Sequence, residues 1–234
     1  MTREDFLRNI KKEYGIVKLL SAKNGGKTLV LKHNTLGKKI VLRLYRETIP
    51  LYDYLKSIKH KNLPLVFDTV PLSDGEAVFE EYIEGPTVAE VIENGGFTYR
   101  GAKRVVCALC EALGPLHKKS FVHRDIKPEN VIVTKDGTVK LIDFNASREV
   151  KPENRKDTVA IGTIGFASPE QLGLSQTDGR ADIYAIGVLL NVMLTGAHPS
   201  QKTAKGKAAK IIKKCTAINP KDRYQTVEEL KREM

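Results

Sequence analysis

The sequence predicts an α+β chain in two lobes, a small antiparallel sheet with one short helix followed by a mainly helical part. Three observations predict it. Residues 14–46 and 63–83 hold short strand-like runs, parted by turn signals at Asn24-Gly25-Gly26, Asn34 to Lys38 and Ser73-Asp74-Gly75. Gly85-Pro86 then breaks the chain after EEYIE. From residue 87 onward the apolar positions recur mainly at helical spacing.

The elements follow in order. Residues 2–13 read as a short amphipathic helix, and 14–46 as strands, the clearest being IVLRLY at 40–45. Leu51, Leu55 and Ile58 share one face of a short helix at 51–59. Two further strands, 63–71 and 76–83, complete a first lobe of about 1–83. A hinge is expected at about 81–86. The second lobe, about 87–234, should hold helices near 87–94, 100–119, 181–195, 207–216 and 226–233. Strand-like LIDFNASRE (141–149) follows a hairpin turn at Lys135-Asp136-Gly137. With neither internal repeat nor low-complexity tract, the 234 residues read as a single domain.

Composition narrows the class. Hydrophobic residues make up 41% of the chain, a globular value, and 39 Lys+Arg against 28 Asp+Glu give a net charge of +11. Such a charge favours nucleic acid, anionic lipid or an acidic partner, but no nucleic-acid motif accompanies it and no nucleic-acid partner is expected. Three cysteines without disulfide spacing suit a reducing compartment. Cys107 and Cys110 form a lone CxxC within a helical pattern, which favours core packing over a metal or redox pair. The N-terminal MTREDFLRNIKKEYG lacks an apolar signal core. The longest apolar-rich stretch, Ala181 to Leu194, contains Asp182 and Asn191 and is too short to span a bilayer. A cytoplasmic protein without a membrane segment is expected. The lysine-rich run QKTAKGKAAKIIKK (201–214) reads as the solvated face of a helix, the alternative being a docking patch for acidic partners.

The chemistry concentrates in Phe121 to Val133, FVHRDIKPENVIV. Between two apolar segments stand His123, Arg124, Asp125, Lys127 and Asn130, so a carboxylate, an ammonium and an amide lie within six residues. These groups can position a hydroxyl against a metal-bound phosphate. Asp125 would accept or orient the proton, Lys127 offset phosphate charge and Asn130 ligate the metal. The bland alternative is a polar turn joining a helix to a strand. The string matches the protein-kinase catalytic loop H-R-D-L-x-x-x-N, with Ile126 in place of Leu. The chain resembles a protein kinase, and Lys127 two places after Asp125 is the serine/threonine form of that loop.

The resemblance runs from about Tyr14 to Leu230. It implies a bilobal protein-kinase-like fold with a short αC helix, and ATP bound between the lobes with Mg²⁺ or Mn²⁺. Asp143-Phe144-Asn145 stands where the family has D-F-G, so Asp143 is expected to join Asn130 in one divalent-metal and phosphate site with Asp125, and Phe144 to pack in the core. Asn145 replaces the family's Gly, and its tolerance of left-handed backbone angles is expected to preserve the turn. GTIGFASPE (162–170) resembles the segment before A-P-E, which implies a Glu170–Arg223 clamp. Asp182 is expected to hold backbone amides of the catalytic loop. Arg124, before Asp125, implies a phosphate-binding role toward the activation segment, with Thr158 or Thr163 as the modified residue. By the same resemblance the nucleotide lies under Val41 and over Ile132, with hinge hydrogen bonds from Glu81 and Ile83. Only about a dozen residues separate His198-Pro199 from the helix near 211, where the family usually has another helix and loop, so substrate recognition is expected to be reduced or different.

The first lobe departs from the family. Ser21-Ala22-Lys23-Asn24-Gly25-Gly26 keeps only Gly26 of the three phosphate-loop glycines. Ile40-Val41-Leu42-Arg43 replaces V-A-I-K, and the αC glutamate position falls on Leu51. Aligning EYIEG (81–85) with the family's hinge puts Glu80 at the back of the nucleotide pocket, and alternation along AVFEE points Val78 and Glu80 to one face. An Arg43–Glu80 ion pair is therefore expected in place of the missing αC contact. The function expected is ATP-dependent serine/threonine protein kinase, acting on a protein hydroxyl. The alternative is a pseudokinase that binds nucleotide or a protein partner without efficient transfer.

Overall fold

The computed structural model describes residues 1–22, 26–150, 163, 165–173 and 176–234. The chain divides into two compact units, Met1–His60 with Pro64–Ile83, and Lys61–Leu63 with Glu84–Met234.

The first unit runs α1 (Arg3–Ile10), β1 (Tyr14–Ser21), β2 (Lys27–His33), β3 (Lys39–Tyr45), α2 (Leu51–Ser57), β4 (Val66–Leu72) and β5 (Gly75–Glu81). Its five strands form one antiparallel sheet in the order β1-β2-β3-β5-β4. Thr2 opens α1 by accepting the amide of Asp5, a side-chain N-cap. The helix sets Phe6 on one face of the sheet with Leu29, Leu31, Leu42, Leu44 and Ala77, edge-on to Phe79 at 6.0 Å. Strand periodicity turns Val41, Arg43 and Tyr45 to the opposite face, where α2 buries Leu51, Tyr52 and Leu55. That helix stops at Ser57, short of the expected residue 59, because Ile58 is already extended. β4 likewise starts at Val66 rather than 63. Residues 61–63, read from the sequence as part of the first lobe, pack with the second unit. Asn62 donates to the Val139 carbonyl at 2.7 Å and accepts from the Leu141 amide at 2.9 Å.

The second unit holds α3 (Val88–Glu93), α4 (Tyr99–Lys118), β6 (Phe121–Val122), β7 (Val131–Val133), β8 (Val139–Leu141), β9 (Arg148–Glu149), α5 (Gly179–Thr195), α6 (Lys207–Cys215) and α7 (Val227–Glu233). A capping box, Thr87 with Glu90, starts α3, and Thr98 and Asp178 cap α4 and α5. The apolar length of α5 is sheathed by α4 and α6. At Gly187 an added Cβ would lie 2.3 Å from the Cβ of Cys215, so glycine permits the close approach of α5 and α6. Cys110 and Cys215 are buried free thiols, the latter pushed up to about 12 by burial, as core packing requires. Among the described residues no helix is long and apolar enough to cross a membrane.

One strand differs from expectation. The run 141–149 is not continuous: β8 ends at Leu141 and β9 is the pair Arg148–Glu149. Between them Asp143 takes φ 66°, which no strand accommodates.

Candidate active site

Residues 121–133 leave β6, cross a polar turn and enter β7 through a 3₁₀ turn at Pro128–Asn130. The turn is fixed from below by α5. Asp182, fully buried, accepts the amides of His123 at 3.0 Å and Arg124 at 2.8 Å, and bonds His117 Nε2 at 2.8 Å. Burial acts to raise its carboxyl, but the His117 bond and charge and the backbone amide hold it below the ordinary carboxylate value. Arg124 takes φ 70°, and Gln171 Nε2 donates to its carbonyl at 2.7 Å. The strained backbone is thus gripped on both sides of the peptide.

Asp125 follows, 9% exposed. Lys127 Nζ lies 2.7 Å from its Oδ2, the Thr163 hydroxyl donates to its Oδ1 at 2.7 Å, and Lys127 also donates to Thr163 Oγ1 at 2.9 Å. Desolvation pushes this carboxyl up, and the bonds from Lys127 and Thr163 outweigh it, leaving Asp125 below its ordinary value and ionised. The Asn130 amide nitrogen donates to the Asp125 carbonyl at 2.8 Å and to Asp125 Oδ2 at 2.9 Å. Both hydrogens are then engaged, and the amide oxygen is the end left for a cation. The Asn130 carbonyl accepts the Ile142 amide at 2.9 Å, which sets Asp143 next in line.

His123 sits at the centre, fully buried and edge-on to Phe144 at 5.2 Å. Burial pushes its imidazole below the ordinary value, against the charges of Asp182, Asp125 and Asp143. Three carboxylates therefore surround one neutral ring. Its Nδ1 accepts the Asp125 amide at 3.3 Å, so the proton rests on Nε2, which donates to the Ile142 carbonyl at 3.3 Å. Phe144 is fully buried, as expected. The left-handed residue of the turn is Asp143 rather than Asn145, a correction to the sequence reading. Aspartate, like asparagine, tolerates that conformation.

The expected clamp is formed. Glu170 and Arg223 make two parallel bonds, at 2.6 and 2.9 Å, both side chains buried. Arg223 donates further to the carbonyls of Ala217, Arg180 and Ile218, engaging all five guanidinium hydrogens. Ser168 and Gln171 form a capping box over the same segment. Thr163 is the bridge between Asp125 and Lys127; Thr158 lies outside the described residues. Ile132 is half-buried on β7, bridged to Thr87.

In the first unit β3 and β5 pair Val41 with Glu80 and Arg43 with Val78, making Arg43 and Glu80 diagonal neighbours on one face. The expected pair is present: Arg43 Nε donates to Glu80 Oε2 at 2.7 Å, with 6% and 2% of the two residues exposed. Sequence reasoning missed the hydroxyls beside it, Tyr45 and Tyr52 at 2.8 Å, the latter contributed by α2. Val41 and Ile83 are buried, and the Glu81 amide donates to the Leu65 carbonyl at 2.8 Å. Gly26 directly precedes β2; residues 23–25 lie outside the described residues.

The sequence model of the family described as protein kinase domain matches residues 12–234. The chain belongs to the protein kinase family. Its kinase domain is 32% identical over 164 residues to a probable serine/threonine-protein kinase of Clostridium perfringens, covering 69% of this chain and 23% of that protein. It is 36% identical over 150 residues to the probable serine/threonine-protein kinase PknB of Corynebacterium glutamicum, covering 61% and 23%. Against the serine/threonine-protein kinase cds1 of Schizosaccharomyces pombe it is 28% identical over 212 residues, covering 86% and 46%. The kinase domain thus spans between about a quarter and a half of the length of these relatives.

The donor set at Asn130 and Asp143, one amide oxygen and one carboxylate, is all oxygen. It fits a hard divalent cation completed by phosphate and water, the way Mg²⁺ is usually held.

Proposed function

We propose that this domain transfers the γ-phosphoryl group of ATP to a serine or threonine hydroxyl of a protein. One observation carries the reading: the ionised Asp125 carboxylate, held between Lys127 and Thr163 with Asn130 at its base. A carboxylate so placed can orient an acceptor hydroxyl and take its proton. Asn130 and Asp143 would hold a divalent ion, Mg²⁺ or Mn²⁺, which when bound offsets the phosphate charge. Lys127 is close enough to Asp125 to shift between that carboxylate and an incoming phosphate. In the first unit we assign Arg43 as the phosphate-facing cation, held by Glu80, and Val41, Gly26 and the backbone of Glu81 and Ile83 to the nucleotide. In the second unit we assign Ile132 to nucleotide binding. Arg124 and Thr158 are assigned to control of the activation segment. We assign the domain to the cytoplasm, where ATP would be at hand.

The test is transfer of labelled phosphate from ATP to a generic basic protein, comparing the wild type with Asp125→Asn. We expect Mg²⁺-dependent transfer that falls at least about a hundredfold in the variant. Nucleotide binding with no Asp125-dependent transfer would identify a pseudokinase and end this reading.

A further inference from the structure

The lysine-rich segment after α5 takes no part in the site above. Between Gly196 and Pro220 lie Lys202, Lys205, Lys207, Lys210, Lys213 and Lys214 and no acidic residue, six cations in a chain of net charge +11. All six are exposed. On α6 the apolar side, Ala208, Ile211, Ile212 and Cys215, is buried, so the lysines form an outward ridge with Lys207, Lys210 and Lys214 at i, i+3 and i+7. Like charges at that spacing weaken a helix. The first turn of α6 carries no acidic residue and no side-chain cap, so Lys205 and Lys207 face the positive end of the helix dipole. Lys207 reaches the Met234 carbonyl at 3.3 Å and Lys214 lies over the Tyr224 ring at 4.2 Å. Lys202, Lys205 and Lys210 have no partner of this kind among the described residues.

Beside the ridge is a cavity of about 520 Å³ walled by Leu194, Thr195, Tyr99, Ala208, Lys202 and Lys205. The Tyr99 hydroxyl oxygen is buried and unpartnered among the described residues. The loop is held in shape from beneath by Asn191, fully buried, which donates to the carbonyls of Ala197 at 2.8 Å and Lys202 at 2.7 Å and accepts from the Ala204 amide at 2.9 Å. An unneutralised cationic surface is therefore preorganised around a part-apolar pocket.

We propose that this ridge and cavity dock an acidic segment of the protein substrate, its carboxylates on the lysines and one apolar side chain in the cavity; as a substrate site it rests on the kinase reading above. Charge complementarity selects the ligand. The apolar side of α6 is buried, so the helix has no apolar face to lay into lipid. The ridge is all lysine, with neither arginine forks for phosphate nor an exposed aromatic platform for bases.

The probe is a fluorescent glutamate-rich peptide with one central leucine, read by anisotropy against the whole chain. We expect saturable binding that added salt weakens, and a loss of roughly tenfold or more in the triple variant Lys202→Glu, Lys205→Glu, Lys210→Glu. The length-preserving Lys→Gln triple should lose affinity by less. Unchanged affinity in both triples overturns the proposal. So does equal binding of a glutamine-for-glutamate peptide, or tighter binding of single-stranded DNA or phosphatidylserine vesicles. In turnover, fusing the acidic segment to a phosphoacceptor peptide should lower KM for the wild type and not for the Glu triple, with the untailed peptide phosphorylated equally by both. If neither protein phosphorylates any peptide, the kinase reading fails while the anisotropy result still decides whether the acidic segment docks.

Discussion

Arg43 and Glu80 are the least ordinary residues of the first unit. A guanidinium and a carboxylate, 6% and 2% exposed, meet at 2.7 Å on the inner side of a sheet. Desolvating both charges is costly, and their attraction offsets that cost only while both are present. The pair is built from strand register alone, since Val41 faces Glu80 and Arg43 faces Val78. α2 supplies no carboxylate to it; it supplies Tyr52, whose hydroxyl meets that of Tyr45 and is pushed upward in pKa by burial and then by the nearby Glu80 charge. Glu80 thus holds the cation from the neighbouring strand of the same sheet. Glu80→Met should destabilise the fold by about 3–5 kcal/mol because the buried arginine loses this carboxylate, and the double variant with Arg43→Met should recover much of that loss. Urea unfolding of the four proteins measures it; strictly additive losses would sink the coupling.

At the scale of elements, α5 acts as the floor of the catalytic loop. Asp182 gathers two amides and an imidazole, while Gln171, from the capped 3₁₀ turn after Ser168, holds the Arg124 carbonyl. Asp182→Asn keeps the shape but turns an NH₂ toward donors. It should cost about 3–5 kcal/mol and depress turnover more than nucleotide affinity, because the loop loses its anchor while the strands of the first unit are untouched. Equal loss of kcat and of nucleotide binding would argue for global unfolding instead. Much of this architecture was legible beforehand. Helices α4, α5 and α6 declare themselves by apolar period, and the Arg43–Glu80 contact follows from alternation in two strands. The break at 142–147 was not legible, because it depends on Asp143 adopting a left-handed backbone beneath a buried Phe144. His117, Asn62 and the Tyr45–Tyr52 pair were also missed, since each bonds a partner brought near only by the fold. Gln171 carried a usable signal in the S-x-x-Q spacing from Ser168.

For the molecule as a whole, burying polar groups around His123 makes stability depend on pH in a definite order. Burial depresses the His123 pKa below its ordinary 6.5, so below that pH the unfolded chain binds a proton that the folded chain refuses. The contribution of the neutral ring is complete above about pH 6.5 and is lost as pH falls toward the folded value. Asp125 and Asp182 are depressed from 3.8, so their contributions persist until much stronger acid. Glu76 runs the other way: burial, opposed by the Ile49 amide and reinforced by Asp53, raises its carboxyl above 4.5, so it contributes below that value and loses the contribution as pH rises. Comparing wild type with His123→Gln cancels Glu76, which is common to both. Glutamine can still donate to the Ile142 carbonyl and accept from the Asp125 amide, but it does not titrate. We expect the wild type to lose stability between pH 7.5 and pH 5.5 in thermal unfolding, and His123→Gln, less stable at the outset, to lose distinctly less over the same interval. Parallel losses in the two proteins would mean that the acid sensitivity arises elsewhere and that the ring at the centre of the three carboxylates accepts a proton without opening the loop.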